Sequence, residues 1–384
     1  MTTTNNTLGL YLHVPFCRHK CRYCDFLSFA CDKEQILHEY AEALLREMDI
    51  QSEEYRYKIV DSIFIGGGTP SLLSVEDTQR IMDALQDNFY IAKDTEITIE
   101  SNPATLDEYK LESYLDMGIN RLSIGVQSFE NSVLQILGRI HDKNEAFQAI
   151  QMAKKVGFEN INIDIMFGIP GQSMKMWKDT VRQCIFQEPQ HISLYSLQVE
   201  EGTEMYKLIY DAEALQLPSE EDDRQMYHEA LQMLRAAGFN QYEISNAAIP
   251  GFESRHNRKY WSYEEYLGMG LGASSFTGGK RFRNYSKMLD YLKAIKEHRL
   301  PVDENSFENY TLRDEMGIYV FTGLRKAEGV NLLDFYDTFQ MDLFDIYDPE
   351  IIKKYKGYIE LYRDQLYLTP QGMDISNKIM AEFV

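Results

Sequence analysis

Three cysteines within eight residues are the part of this sequence best suited to chemistry. Cys17, Cys21 and Cys24 follow a C-x3-C-x2-C spacing on a loop rich in Arg, Lys and His; core cysteines rarely have this spacing or setting. Three thiolates on one short loop can bind the irons of an iron–sulfur cluster, which normally takes four such ligands. The missing fourth ligand would leave one iron open to a further molecule.

A structural zinc site is the alternative use of these cysteines. Zinc in such sites usually has four protein ligands, and His13, His19 and Cys31 lie close enough in sequence to supply the fourth. The chain has five cysteines, an odd number, and their clustering indicates a metal site rather than disulfides in a reducing compartment. The residues by themselves leave cluster and zinc both open.

The composition favours a soluble, folded protein and disfavours some partners. The formal net charge is −21 and 44% of the residues are hydrophobic. Such a charge disfavours nucleic acid as a partner, because phosphate binding needs clustered Lys and Arg. No apolar run approaches the roughly 20 residues that span a bilayer, and the polar residues 1–7 lack the regions of a signal peptide. We therefore expect a cytoplasmic protein.

Short apolar strands alternate with amphipathic helices over the first two-thirds of the chain. The predicted strands are 8–14, 59–65, 96–100, 120–126, 160–167 and 191–197. The predicted helices between them are 32–50, 75–88, 106–117, 131–137, 144–156 and 173–187. Six such units predict an α/β fold with a parallel sheet, a partial (β/α)6 barrel. Its functional loops should follow the strand ends, where the cysteine loop follows the first strand.

The pattern weakens after about residue 201. We predict a helix at 220–237, strands at 241–245 and 271–276, and helices at 312–323 and 332–339. A hairpin at 358–362 and 365–368 and a helix at 370–383 complete a smaller helical, winged-helix-like module.

Polar residues at the ends of otherwise apolar strands indicate a ligand pocket. Glycines at 66–68 precede Thr69 after the second strand, and Glu100, Gln127 and Asp164 lie near the ends of the next three. Glycines let backbone N–H groups approach a ligand closely. One such polar residue could be a satisfied buried group, but several on successive strands converge on one pocket.

Taken together, these motifs resemble the HemN/HemW family of radical S-adenosylmethionine (SAM) proteins over nearly the whole chain. The matching segments are residues 11–17, 66–70, 100–103, 125–129, 137–139 and 164–170. The resemblance implies a [4Fe–4S] cluster on the three cysteines, with SAM on the open iron as the source of a 5′-deoxyadenosyl radical. It also implies SAM contacts at Tyr11, Tyr23, Gly67, Gly68, Thr69, Glu100, Gln127, Arg139 and Asp164. Arg139 would suit the SAM carboxylate.

Two features distinguish the chain from the coproporphyrinogen III dehydrogenases of that family. Phe26 stands where the dehydrogenases carry a further cysteine, and only sixteen residues precede Cys17, whereas they have a long N-terminal extension. The run His-Asn-x-x-Tyr-Trp from His256 is typical of the haem chaperones. His256 is thus a candidate haem contact, or else a hydrogen-bonded histidine beside a core Tyr–Trp pair.

The resemblance therefore implies a haem chaperone that delivers haem to apo-haemoproteins such as respiratory-chain cytochromes. The alternatives are oxidative decarboxylation of coproporphyrinogen III and another radical reaction such as methyl transfer. We expect residues 1–240 to form the barrel, 241–304 an extension carrying the His256 motif, and 305–384 a HemW-like C-terminal domain. An electron donor, a homodimer and peripheral contact with membrane proteins are further expectations from the family.

Overall fold

The computed structural model describes residues 6–384. Residues 1–5, part of the polar start on which the signal-peptide prediction rests, lie outside the described residues. Six parallel strands form the centre of the fold. They are β1 Thr7–Val14, β2 Ile59–Gly67, β3 Tyr90–Ser101, β4 Arg121–Gln127, β5 Ile161–Phe167 and β6 His191–Ser196. They lie side by side in chain order, which confirms the predicted α/β fold.

Helices connect these strands, as a sheet of parallel strands requires. They are α1 Glu34–Tyr55, α2 Val75–Asn88, α3 Glu108–Asp116, α4 Asn131–Leu137, α5 Lys143–Val156 and α6 Met174–Phe186. Local sequence sets several of their ends. Ser74 caps α2 by accepting from the Asp77 N–H, and Gly138 ends α4 in the left-handed conformation at φ 70°, where glycine meets no steric penalty.

Alternate side chains of each strand point to opposite faces of the sheet, and the two faces differ in polarity. The outer face packs on the helices and is apolar; Leu10, Ile63 and Leu122 are 0% exposed in one continuous core. The inner face carries polar side chains such as Ser123 and Asn162, both nearly buried. Side chains from β2 through β6 line one common cavity, so the sheet is curved around it.

Further strands extend the sheet at both edges. Helix α7, Glu220–Ala236, follows β6, and the strands Asn240–Glu243 and Asn246–Ala248 add to the β6 edge. A strand at Tyr266–Met269 pairs with β1 in parallel and leads into Ser274–Thr277 and Lys280–Arg283. The prediction of one strand at 271–276 is wrong at its start, because a turn through Gly270 and Gly272, both at positive φ, interrupts it.

Two helices in the region between barrel and C-terminus were not predicted. They are α8 Arg255–Trp261 and α9 Met288–Lys296. Helix α8 inserts beneath the inner face of the sheet, where the N–H groups of Arg255 and His256 donate to the carboxylate of Glu96 at 3.1 and 3.2 Å. This insertion closes the end of the barrel opposite the cysteine loop.

The C-terminal segment forms a hydrophobic core of its own, which includes Val320, Phe335 and Leu366. Its helices and strands are Leu312–Gly323, Val330–Asn331, Leu332–Phe339, Leu343–Ile346, Glu350–Lys354, Ile359–Tyr362 and Gln365–Leu368. The predicted helix 370–383 is wrong as one element. It divides into Pro370–Asp374, Ser376–Met380 and a final turn at Ala381–Phe383, because Ile375 leaves helical geometry at φ −116°, ψ 24°.

No helix among the described residues is long and apolar enough to cross a membrane.

Candidate functional site

The cysteine loop begins where β1 ends and is closed at its base by backbone hydrogen bonds. Short parallel strands at Phe16–Cys17 and Phe29–Ala30 pair with each other, and the Cys31 N–H donates to the Cys17 carbonyl at 2.8 Å. The Arg22 N–H donates to the carbonyl of Leu137 at 3.0 Å, which ties the middle of the loop to the end of α4. The loop is therefore held over the open end of the barrel.

All three thiols of the loop line the same cavity, and two of them receive hydrogen bonds from other parts of the fold. The Thr69 hydroxyl donates to Cys17 Sγ at 3.5 Å, and Arg139 Nη1 donates to Cys21 Sγ at 3.3 Å. Burial raises the pKa of the Cys17 and Cys24 thiols, so these cysteines need a strong cationic partner to become thiolates. Donors aimed at sulfur are the surroundings in which iron–sulfur thiolates are found.

His13, which lies on β1 just before the cysteine loop, already makes hydrogen bonds through both ring nitrogens. His13 Nδ1 lies 2.9 Å from the Tyr11 hydroxyl and His13 Nε2 lies 2.8 Å from the Leu27 carbonyl. Within residues 6–384, no three His, Cys, Asp or Glu side chains converge closely enough to hold a single metal ion. A cluster does not require such convergence, because each cysteine binds an iron of its own. The arrangement of the three cysteines is thus compatible with a cluster.

The cavity has a volume of about 430 Å³ and lies between the loop and the inner face of the barrel. It brings together most of the residues selected from the sequence. Those that line it are Cys17, Cys21, Cys24, Tyr23, Gly67, Gly68, Thr69, Glu100, Gln127, Arg139 and Asp164. Of the predicted SAM and haem contacts, Tyr11 and His256 do not line it, and of the possible fourth zinc ligands only His19 does.

The glycines at the end of β2 are required by packing within the protein. A Cβ atom on Gly67, which has φ +111°, would lie 2.6 Å from the His13 ring, and one on Gly68 would lie 2.6 Å from the Phe16 carbonyl oxygen. The Gly67 N–H donates to Glu100 Oε2 at 3.0 Å. The turn therefore fits closely against β1 and the cysteine loop, and it orients the carboxylate of Glu100.

Two carboxylates face the cavity from β3 and β5. Burial, with a smaller contribution from the charge of Asp164, raises the pKa of Glu100 to about 8. Burial also raises the pKa of Asp164, although Asn162 Nδ2 donates to its Oδ1 at 2.8 Å. Such a pair stabilises a bound cation, because a positive charge in the cavity would offset the cost of ionising both groups.

Gln127 and Arg139 contribute polar atoms that have no protein partner. Gln127 adopts φ 67° at a register shift between β4 and β5, and its Oε1 is buried without a hydrogen bond in the described structure, as is Arg139 Nε. Arg139 also donates to the Gly125 carbonyl. Unpartnered buried polar atoms and left-handed non-glycine backbone are both concentrated at binding sites.

His256 and Tyr11 lie below the cavity, inside the barrel. His256 is 0% exposed, and its Nδ1 and Nε2 lie 2.9 Å from the hydroxyls of Ser62 and Tyr260. Its ring stacks on Phe64 with centroids 5.4 Å apart. Both ring nitrogens are thus hydrogen-bonded, and the assignment of His256 as a haem contact stays a prediction.

Several residues that line the cavity were not predicted from the sequence. They are Arg121, Ser123, Asn162, Ser193 and Tyr195, all on the inner faces of β4, β5 and β6. A signal for them exists, since each strand alternates polar and apolar residues with period two, as in Arg121-Leu-Ser-Ile-Gly.

Comparisons with known proteins show the family to which the chain belongs. Residues 11–184 match the Radical SAM superfamily and residues 310–375 match the HemN C-terminal domain. The heme chaperone HemW of Bacillus subtilis is 36% identical over 377 residues, covering 97% of this chain and 98% of that protein. The heme chaperone HemW of Escherichia coli is 40% identical over 266 residues, 69% of each chain.

A solved structure shows the same fold. Coproporphyrinogen III oxidase (HemN) from Escherichia coli, described as a radical SAM enzyme, superposes with a TM-score of 0.84 over 98% of this chain and 90% of its own, at 23% identity. Membership of the Radical SAM superfamily implies a [4Fe–4S] cluster and SAM. On the full-length sequence similarity, the chain belongs to the HemW family of radical SAM proteins.

Proposed function

We propose that this protein is a haem chaperone, which binds haem and delivers it to apo-haemoproteins such as respiratory-chain cytochromes. The observation that carries the proposal is the 36% identity to a heme chaperone HemW over 97% of the chain. The likeness to HemN, at 23% identity, supports the shared fold and not a shared reaction.

In this proposal the thiolates of Cys17, Cys21 and Cys24 would hold a [4Fe–4S] cluster, and the cavity that these cysteines line would hold SAM. The donors from Thr69 and Arg139 to the sulfur atoms support this assignment. When bound, the cluster and SAM supply one-electron chemistry. The protein's part is to hold the cluster by three ligands only and to keep the cavity closed below by α8.

The residues around the cavity would orient SAM by charge. The Glu100 and Asp164 carboxylates suit the cationic and hydroxyl groups of SAM, and Arg139 suits its carboxylate. Tyr23, Gly67, Gly68, Thr69 and Gln127 complete the wall. Tyr11 would act through His13, to which it hydrogen-bonds, rather than by touching the ligand.

Phe26 supports the chaperone over coproporphyrinogen decarboxylation. It occupies the place of the additional motif cysteine and its side chain is 64% exposed at the cavity. A radical reaction needs a pocket sealed from water, whereas the delivery of a cargo needs an open mouth.

An anaerobic assay of the reconstituted protein tests the proposal. Haem should bind stoichiometrically and move to an apo-cytochrome, and coproporphyrinogen III should not be decarboxylated when SAM and a reductant are supplied. Cys24→Ser provides the matched protein without the complete cluster. Absence of haem binding by the native protein, or conversion of coproporphyrinogen III to protoporphyrinogen, would contradict the chaperone. An electron donor, dimer formation and contact with membrane proteins are parts of the proposal that the same material allows to be measured.

A further inference from the structure

The place where haem binds follows from the space that the cavity offers. Its volume of about 430 Å³ lies near the lower end of the range for small-molecule pockets, about 300–1,000 Å³. The residues assigned above to the cluster and to SAM line this cavity, so we place the larger, planar macrocycle at its mouth.

The structure shows which histidines are placed to bind the iron of a haem at the mouth of the cavity. The chain has eight histidines. Four of them, His13, His141, His191 and His256, are buried. The other four, His19, His38, His228 and His298, are exposed. Of these exposed histidines, only His19 lines the cavity.

The surroundings of His19 also match the other parts of a haem. Phe26, at 64% exposure, offers an aromatic face at the same mouth; such a ring packs well on a porphyrin. Arg18 is exposed beside His19, on a loop that is basic although the protein's net charge is −21. A guanidinium suits the propionate groups of haem, which are carboxylates.

Lys20 holds this part of the loop in shape. Its ammonium group donates to the carbonyl of Phe26 at 3.0 Å and to that of Ser28 at 3.3 Å. The segment with His19 and the segment with Phe26 are therefore fixed relative to each other. Arg22, further along, pairs with Glu204 at 3.1 Å, so Arg18 is the cation of the loop best placed for a propionate.

We infer that His19 is an axial ligand of the transported haem, which binds at the mouth of the cavity between the cysteine loop and solvent. The neutral imidazole donates a nitrogen lone pair to the iron, Phe26 covers one face of the macrocycle and Arg18 pairs with a propionate. This assignment rests on the proposed function, and it places the cargo over the entrance that SAM would use.

His256 is the competing candidate, and its surroundings make it a poor one. Ligation would break at least one of its hydrogen bonds, to Ser62 or to Tyr260, and would bring haem into a fully buried part of the barrel. His19 needs no such rearrangement, since it is exposed and touches the cavity already.

The test is haem titration of the reconstituted full chain, followed by optical and electron paramagnetic resonance spectra. The variants are His19→Ala, His19→Gly with added imidazole, His256→Gln, and His298→Ala as the matched exposed control. We expect His19→Ala to lose the histidine-ligated spectrum and to bind haem at least tenfold more weakly. Imidazole should restore the spectrum in His19→Gly. His256→Gln and His298→Ala should resemble the native protein in haem affinity and in spectrum. All variants should contain as much iron and sulfide as the native protein.

The outcomes separate the assignment of His19 from the proposed function. Native binding with an unchanged spectrum in His19→Ala overturns the assignment of His19 and leaves the chaperone standing. Loss of the spectrum in His256→Gln, or failure of imidazole to restore it in His19→Gly, overturns the assignment as well. No haem binding by the native protein overturns the proposed function itself.

Discussion

Replacing Glu100 by Gln should make the ligand-free protein more stable at alkaline pH while weakening its hold on SAM. Burial raises the pKa of Glu100 from 4.5 to about 8. Since one pKa unit corresponds to about 1.4 kcal/mol, ionising this carboxyl in the folded protein costs at most about 5 kcal/mol. The carboxylate faces a water-accessible cavity that screens part of its charge, and we expect about 1–3 kcal/mol to remain.

The sign of the pH dependence follows from proton binding. Between pH 4.5 and about 8 the folded protein keeps a proton on Glu100 that the unfolded chain has lost. The stability that this proton contributes is full below pH 4.5 and is lost as the pH rises through 8. Glu100→Gln lacks this loss. It should therefore match the native protein at pH 4 and exceed its free energy of unfolding by about 1–3 kcal/mol at pH 8.5.

Chemical denaturation of ligand-free protein at both pH values measures the difference, and anaerobic calorimetry measures SAM affinity. The ionised carboxylate attracts a cation, whereas an amide does not, so we expect SAM to bind Glu100→Gln at least tenfold more weakly at pH 8.5. Glu47→Gln is the control. Burial raises the pKa of Glu47 to about 7, but this residue lies outside the cavity, where it accepts hydrogen bonds from Tyr291 and the Gly270 N–H.

A stability difference that does not change with pH would refute the charge argument for Glu100. Undiminished SAM binding by Glu100→Gln would refute its role in the site. Weakened SAM binding by Glu47→Gln would show that removing any buried carboxylate weakens SAM binding. The argument that Glu100 acts because it faces the cavity would then fail.

Three further predictions concern the cysteine loop and its support. Cys24→Ser should abolish the visible absorption of the cluster, whereas Cys184→Ser should retain it, because Cys184 is 0% exposed in the core; loss in the second variant would contradict the ligand assignment. Thr69→Val should make the reduction potential more negative in an anaerobic titration, since it removes the donor to Cys17 Sγ; an unchanged potential would speak against that bond. Gly68→Ala should lower the free energy of unfolding by about 1–3 kcal/mol, since its Cβ would lie 2.6 Å from a backbone oxygen; denaturation at native stability would contradict the packing.

The sequence predicted the central strands and several helices well because local signals and tertiary packing agree there. The helix at Val75–Asn88 has Ser74 as its N-cap, and that at Asn131–Leu137 has Gly138 as its C-cap. Both were predicted with the bounds that the structure shows. The three cysteines and Glu100 could be selected as site residues for a related reason, since their spacing or their place at a strand end is visible without knowledge of tertiary contacts; their roles stay predictions.

Position inside the barrel could not be predicted for His256. Helix α8 has only seven residues, too few for a hydrophobic period to be recognised, and its place is set by long-range contacts. The carboxylate of Glu96, some 160 positions away in the chain, accepts from its first N–H groups. A histidine followed by Tyr and Trp therefore gave the same sequence signal whether it faced a ligand or the barrel interior.

The polar side chains on the inner faces of the strands show why the sequence predicted only part of the cavity lining. Arg121 is 1% exposed and reaches Thr98 Oγ1 at 3.4 Å, yet its Nε has no partner in the described structure. In most sheets the polar face meets water, so alternation suggests a solvent-facing strand. Here the helices cover the apolar face and the polar face encloses the cavity. Burial raises the pKa values of Glu100 and Asp164, and the charge of the nearby Arg121 opposes part of this rise, which favours ionisation of both when a cationic ligand arrives. Polar side chains on the enclosed face of these strands are thus themselves evidence for a charged ligand. Where the strands of a helix-covered parallel sheet alternate strictly between polar and apolar residues, a ligand site on the polar face should be sought.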